Sequence, residues 1–377
     1  MIYLDNAATT ASTIVYQNFY NPSSPHALGI KADRALRDAR NCIENIFEKS
    51  HTHGLSSFLS QRTASAQHAG NVIFTSGGTE ANNMAILGYS LAKHNAYLSC
   101  AGFEHPSILA PMQFAHDRNW ATKTNTDIPM QGNVLVSISH VNHETGDIAD
   151  LDNIAAKIKK DNPDAIIHVD GVQGFCKLAL TMQNIDMYTF SGHKIHGVAG
   201  VGGIWVRKGC NIVPLQHGGG QESGWRSGTE NVSGIVQMAQ AAQYLHKDMD
   251  TNYTCVAKLK EIMRSLAVDL PDTRVNAISE HTSPYILNMS FLGVKGEVLV
   301  HALSEKGVFV SMGAACRSRK RARPALELMG FSTEIAESAI RFSFSHYNTI
   351  DEVEQARDIV LELVHRFRRI NGLASIK

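Results

Sequence analysis

Ser191-Gly-His-Lys194 puts a lysine directly after the apolar run Met187-Tyr-Thr-Phe190, and glycines follow at Gly197, Gly200, Gly202 and Gly203. At a strand end, small neighbours let a ligand approach. Partial desolvation there favours the neutral, nucleophilic amine that forms a Schiff base. Alone, the tetrapeptide reads as a surface turn. Its company decides otherwise.

Upstream, His168-Val-Asp170-Gly-Val-Gln173 closes another apolar run. An aspartate at a buried strand end needs a cation or a donor to offset its desolvation. A protonated pyridine nitrogen, as in pyridoxal phosphate, is such a partner and turns the ring into an electron sink. A helix N-cap is the equal alternative for Asp170. Gln173 is a candidate donor to the ring's phenolate oxygen. Thr75-Ser-Gly-Gly78-Thr79-Glu80 falls between a strand and a helix, where open amides and the Thr79 hydroxyl can hold a phosphate. It is neither a Walker A loop nor GxGxxG, and a simple capped turn is the bland alternative. Phe103-Glu-His105-Pro offers an imidazole able to lie on a ring and relay protons. Asn142, in Val141-Asn-His-Glu-Thr-Gly146, is a further hydrogen-bonding candidate at a strand end. Trp225-Arg-Ser-Gly-Thr229-Glu-Asn231 places hydroxyl and amide donors where a long helix opens.

Cys316 ends Val310-Ser-Met-Gly-Ala-Ala and enters the basic run Arg317-Ser-Arg-Lys-Arg-Ala-Arg323. Small residues before the thiol suit an accessible loop, and five nearby cations favour thiolate over thiol. Free cysteine is most often a buried small hydrophobe, a fate this cationic surrounding opposes. For the basic run itself, a solvated loop stays open as a reading.

These groups need a scaffold. Apolar runs at 72–75, 134–139, 166–169, 187–190 and 203–206 alternate with helical patterns at 80–94 and 151–160. That rhythm predicts an α/β fold with a mostly parallel sheet, because parallel strands need crossover helices. After Asn231 one long helix is expected past Val256, with Ile235, Met238, Ala242 and Leu245 at helical spacing. It leads to a smaller α+β domain. The expected division is a large domain over 21–249, and a small domain made of 1–20 and 250–377 that carries the Cys316 loop. The stretch 51–70 is polar, rich in Ser and His and without periodicity. It reads as a surface excursion, since its histidines lack partners at metal-ligand spacing.

The 377 residues are 44% hydrophobic and 19% charged with a formal net charge of +0, as expected of a globular enzyme and not of a disordered scaffold. That balance argues against direct nucleic-acid binding. Six scattered cysteines without a CxxC pair suggest no zinc site and no disulfide framework, hence a reducing, cytoplasmic setting. No apolar run reaches membrane-spanning length, and the N-terminus does not read as a secretory signal.

Taken together and in order, these strings resemble the NifS/IscS-like cysteine desulfurases of the class V aminotransferase family, within the fold-type I (aspartate-aminotransferase-like) pyridoxal-phosphate enzymes. Tyr3-Leu-Asp-Asn-Ala-Ala-Thr-Thr10, Asn21-Pro-Ser-Ser, His217-Gly-Gly-Gly-Gln-Glu222 and Ile340-Arg-Phe-Ser-Phe344 extend the likeness over nearly the whole chain. The resemblance implies that Lys194 bonds the cofactor, Asp170 meets the pyridine nitrogen, Gln173 the phenolate side, His105 stacks, and Asn142 adds a contact. It implies a phosphate cradle from Gly78, Thr79, Ser191 and His193. Thr229 would arrive from the other subunit of a homodimer. Arg341 would clamp the substrate carboxylate, with Asn21 as a second substrate contact. Cys316 would take sulfur from L-cysteine as a persulfide, release L-alanine and pass the sulfur to an acceptor protein. That acceptor would serve iron–sulfur cluster assembly or tRNA thiolation, and the Cys316–Arg321 run is similar to that of members dedicated to the latter. A selenocysteine lyase, another lyase of this fold and a non-catalytic scaffold are the competing readings. The chain departs from the family pattern in a short 10–21 segment, a long 51–70 segment, Val198-Ala199 after the lysine motif, and Ala314.

Overall fold

The computed structural model describes residues 1–15, 17–49, 70–124, 128–129, 131–312 and 325–372. Cys316, the basic run after it and the polar stretch from 51 to 69 lie outside the described residues, whereas Gly70 already belongs to a strand. The chain divides into two compact units, one of 11–140 with 149–248 and one of 1–10, 141–148 and 249–377. Two segments fall differently from the expected boundaries. Residues 11–20 go with the larger unit, where His196 Nδ1 lies 3.0 Å from the Ala11 carbonyl and the Thr13 amide donates to the His196 carbonyl. Residues 141–148 go with the smaller unit, because their backbone bonds to 281–283: Ile148 N donates to His281 O and Ser283 N to Gly146 O.

Strand β1 (Ile2–Tyr3) belongs to the smaller unit and helix α1 (Ala27–Lys49) to the larger. The larger unit continues through β2 (Gly70–Thr75), α2 (Gly78–Ala92), β3 (Ala96–Cys100), α3 (Pro106–Asp117), β4 (Ala121–Thr124), β5 (Val134–Ser139), α4 (Leu151–Asp161), β6 (Ile166–Asp170), β7 (Met187–Ser191), β8 (Gly202–Arg207) and α5 (Val232–Lys247). Seven strands form one sheet in the order β2-β8-β7-β6-β5-β3-β4. Only β8 runs against its neighbours, pairing antiparallel with both β2 and β7. The central strands are buried along almost their whole length, which is why they read as continuous Val/Ile-rich runs and not as alternation. Beneath them Phe47 stacks on Phe175 at 5.4 Å between centroids, and Phe175 on Phe190 at 4.8 Å. Replacing any of these rings with alanine would cost about 3–5 kcal/mol.

The smaller unit adds α6 (Met249–Arg264), α7 (Leu266–Asp269), β9 (Thr273–Val275), β10 (Ile286–Phe291), α8 (Gly296–Glu305), β11 (Val308–Phe309), α9 (Ala325–Leu328), α10 (Thr333–Glu337), β12 (Ala339–Ser343) and α11 (Ile350–Ile370). Strands β12, β10 and β9 form an antiparallel sheet, and β1 pairs in parallel with β11. Helix α11 opens on a reciprocal cap, Thr349 Oγ1 accepting from Glu352 N and Glu352 Oε2 from Thr349 N. The single long helix expected after Asn231 is instead two, α5 and α6, with Asp248 in a non-helical conformation between them. The apolar stripe passes unbroken across the interruption, but its two halves serve different cores. Ile235, Met238, Ala242 and Leu245 pack with the aromatic cluster, and Val256, Leu259 and Met263 pack with Leu287 and Phe342.

Candidate active site

Register sets the larger unit's site. Ser139 and Thr189 flank Asp170 on neighbouring strands, while Thr75 and Ser191 sit opposite Gly202 from either side. Strands β2, β7, β6 and β5 therefore end together, and a crevice beyond the strand ends is where open α/β sheets bind ligands. Helix α2 begins there at Gly78 with no side chain capping its start, leaving its first amides available to an anion. A Cβ on Gly78 would stand 2.7 Å from Val172 Cγ2 and 3.7 Å from Ser191 Cβ. The Ser191 hydroxyl is enclosed and has no hydrogen-bond partner among the described residues. A buried hydroxyl of this kind is costly unless a ligand completes it.

Asp170 is buried, with Oδ2 accepting from Asn82 Nδ2 at 2.9 Å and Oδ1 from the Val172 amide at 3.1 Å. Asn82 Nδ2 also donates to Ser107 Oγ at 2.8 Å, and Ser107 Oγ lies 2.7 Å from His105 Nδ1. His105 caps α3, its Nδ1 accepting from the Ser107 amide at 3.1 Å, with Pro106 at the first helical position. Gln173 is buried in the turn that follows Asp170. Thr79 and His105 share one concavity of about 470 Å³ with Asn83 and Phe114.

Lys194 ends the short 3-10 turn Gly192–Lys194 and is half-buried, beside His193. Burial first, then the Lys194 and Lys177 charges, hold the His193 imidazole down at about 4, so it is neutral at physiological pH. Lys177 is buried, and burial followed by the Lys194 charge brings it down to about 7. Thr229 lines a smaller cavity of about 140 Å³ with Thr75, Ser76 and Gly200. Asn231 caps α5 by accepting from Gly234 N.

Arg341 and Asn142 belong to the smaller unit. Arg341 Nη1 donates to the His143 carbonyl at 2.8 Å, its Nη2 stands 3.3 Å from Asp5 Oδ1, and its Nε has no hydrogen-bond partner among the described residues. Asn142 Oδ1 accepts from the Glu144 and Thr145 amides, so any ligand contact falls to its Nδ2. Asn21 is exposed in the larger unit, with Oδ1 accepting from Ser23 N. Cys316 lies outside the described residues.

Sequence reasoning missed Asn82, Ser107, Asp5 and Glu104. Glu104 is buried with Oε1 accepting from the Ser139 amide and Oε2 from the Ser139 hydroxyl; burial, with some help from Asp170, raises it to about 7. Its signal was its place beside His105 in an otherwise apolar stretch.

The larger unit's residues fit a phosphorylated pyridine cofactor on three counts: an uncapped helix start facing small residues, an enclosed hydroxyl without a partner, and a buried carboxylate at the neighbouring strand end. The chain belongs to the class V aminotransferase family of pyridoxal-phosphate enzymes, whose family model matches residues 2–356. Within it the relatives are NifS/IscS-like. A NifS/IcsS protein homolog of Lactobacillus delbrueckii subsp. bulgaricus is 32% identical, covering 99% of this chain and 100% of the relative. The cysteine desulfurase IscS of Buchnera aphidicola subsp. Schizaphis graminum is 31% identical over 99% of this chain and 95% of its own. Among solved structures, a NifS-like protein superposes with a TM-score of 0.82 at 28% identity, covering 96% of this chain and 99% of that one. The NifS-like protein of Rickettsia africae gives 0.80 at 26%, with 97% and 99% covered.

Proposed function

We propose that this protein is a pyridoxal-phosphate-dependent cysteine desulfurase that converts L-cysteine to L-alanine and leaves a persulfide on Cys316. The supporting observation is the gathering of Asp170, Ser191 and Lys194 at the ends of adjoining strands beside the open start of α2. When bound, the cofactor supplies an electron sink that acidifies the α-carbon of an attached amino acid.

The chain's own groups do the rest. Asp170 would keep a proton on the ring nitrogen, Gln173 would donate at the phenolate side, and His105 would cover the ring. The α2 amides, Gly78, Thr79, Ser191 and neutral His193 hold the phosphate, with Thr229 contributed across a homodimer. Lys194 Nζ would anchor the cofactor and would act as the base that takes the α-proton. Arg341 binds the substrate carboxylate through its planar fork, assisted by Asn21 and the Asn142 Nδ2. The Cys316 thiolate forms a bond to the substrate sulfur as the carbon–sulfur bond breaks. The electron pair passes to the β-carbon, which takes a proton, and return of the α-proton from Lys194 to the α-carbon completes alanine. A sulfur-acceptor protein receives the persulfide sulfur, for iron–sulfur cluster assembly or tRNA thiolation. The setting we infer is cytoplasmic; among the described residues no helix is long and apolar enough to cross a membrane.

The deciding experiment incubates purified protein with pyridoxal phosphate and L-cysteine, then maps Cys316 by mass spectrometry. A one-sulfur adduct with matching alanine release is expected. Cys316→Ser should abolish turnover of cysteine yet keep the cofactor's visible absorption band, and Lys194→Ala should lose that band. A colourless protein that takes up no cofactor would remove the proposal, and cysteine turnover undiminished in Cys316→Ser would point to a lyase.

A further inference from the structure

A continuous line of hydrogen bonds runs through the larger unit from Asp170 to His105. Asp170 Oδ2 accepts from Asn82 Nδ2 at 2.9 Å, and the same nitrogen gives its other proton to Ser107 Oγ at 2.8 Å. An amide nitrogen only donates, so both its protons are used. Rotating the amide by half a turn would aim Oδ1 at the carboxylate, which fixes the orientation. With Asn82 donating to it, Ser107 Oγ has its own proton to give, and His105 Nδ1 stands 2.7 Å away. The Ser107 amide points at that same ring nitrogen from 3.1 Å. A ring nitrogen that receives two hydrogen bonds carries no proton, so the neutral imidazole holds its proton on Nε2. Asn82, Ser107 and Asp170 are all buried, so water does not compete for these bonds.

We propose that Asn82 and Ser107 are positioning residues that tie His105 to Asp170, holding the imidazole as the Nε2–H tautomer and the carboxylate in one orientation. Neither residue touches substrate in this account; they act through the two groups that do face the cofactor. The inference rests on the reading that Asp170 and His105 serve pyridoxal phosphate. One residue line thereby joins two groups with different tasks, so disturbing the middle of it reaches both.

The test uses apoprotein labelled with 15N-histidine, with the His105 ring signals identified by their loss in His105→Gln. In the wild type, Nδ1 should resonate as an unprotonated acceptor and Nε2 as an N–H nitrogen. Ser107→Ala, which removes one oxygen, and Asn82→Leu, which removes the bridging donor, should both move the Nδ1 signal toward the protonated range. Ser107→Thr, which keeps the hydroxyl, should restore the wild-type signals. Pyridoxal-phosphate affinity should fall severalfold in Asn82→Leu. A proton on Nδ1 in the wild type, or ring signals unmoved in Ser107→Ala and Asn82→Leu alike, would overturn the proposal. Failure of wild-type apoprotein to take up the cofactor counts against the proposed function and is read independently of the ring signals.

Discussion

Arg341 already has an acid beside it: its Nη2 lies 3.3 Å from Asp5 Oδ1, with the arginine side chain only 7% exposed and the aspartate 23%. Asp5 and the His143 carbonyl orient the guanidinium within its own unit before any ligand arrives. Lysine would keep the charge and lose the fork. Arg341→Lys should therefore raise the KM for L-cysteine about tenfold to a hundredfold while cofactor uptake stays normal. Steady-state alanine release beside cofactor absorbance tests this, and an unchanged KM would take Arg341 out of substrate binding.

Gly202 sits where the ends of β2 and β7 meet β8. A Cβ there would come within 2.7 Å of both Gly77 Cα and the Phe190 carbonyl oxygen, and neither backbone atom can yield cheaply. Gly202→Ala should displace the Gly77 loop and weaken pyridoxal-phosphate binding by about tenfold or more. Equilibrium titration of apoprotein with cofactor reads the effect directly.

Arg40 grips Glu222 through two bonds, Nη1–Oε2 at 2.8 Å and Nη2–Oε1 at 2.7 Å. Glu222 also accepts from the Phe74 amide at 2.9 Å, which ties the His217–Glu222 motif to β2. The glutamate side chain is 2% exposed, so removing its partner strands a buried charge. Arg40→Met should lower unfolding stability by about 3 kcal/mol. Chemical denaturation with the cofactor absent gives that number, and a loss within error would mean water replaces the guanidinium.

Glu104 ties stability to pH. Its folded value of about 7, raised mainly by burial, exceeds the 4.5 of the unfolded chain, so the folded state holds the extra proton between those limits. The stability it contributes is complete below about 4.5 and is lost as pH climbs through 7. Glu104→Gln should match the wild type near pH 5 and exceed it near pH 8 by an amount on the order of 2–3 kcal/mol. Unfolding curves at both pH values check the sign. A difference that shrinks toward high pH would show the carboxylate to be ionised when folded.

Much of the larger unit was legible because its central strands are enclosed on both faces and so appear as uninterrupted apolar runs. The expected strand at 134–139 coincides with β5, and those at 72–75, 166–169, 187–190 and 203–206 fall within β2, β6, β7 and β8. Ala96–Cys100 and Ala121–Thr124 escaped notice, since Ser, Lys and Thr interrupt them as they approach the sheet's edge. The break between α5 and α6 was hidden because helical periodicity reports that a face is buried, not which core buries it. Asn82 looks like any helix residue in the sequence. Its two partners, Ser107 and Asp170, lie 25 and 88 positions away, and nothing local announces such a meeting.

The backbone crosses between the two units at 10/11, 140/141, 148/149 and 248/249. Neither unit can thus be cut out as a single length of gene. A fragment ending at Asp248 would carry 141–148 without 281–288 or Arg341, leaving the His143 and Gly146 carbonyls without the donors they meet in the intact chain. Such a fragment should be prone to aggregate, and an evolving lineage could not exchange one unit for another by simple recombination at its borders.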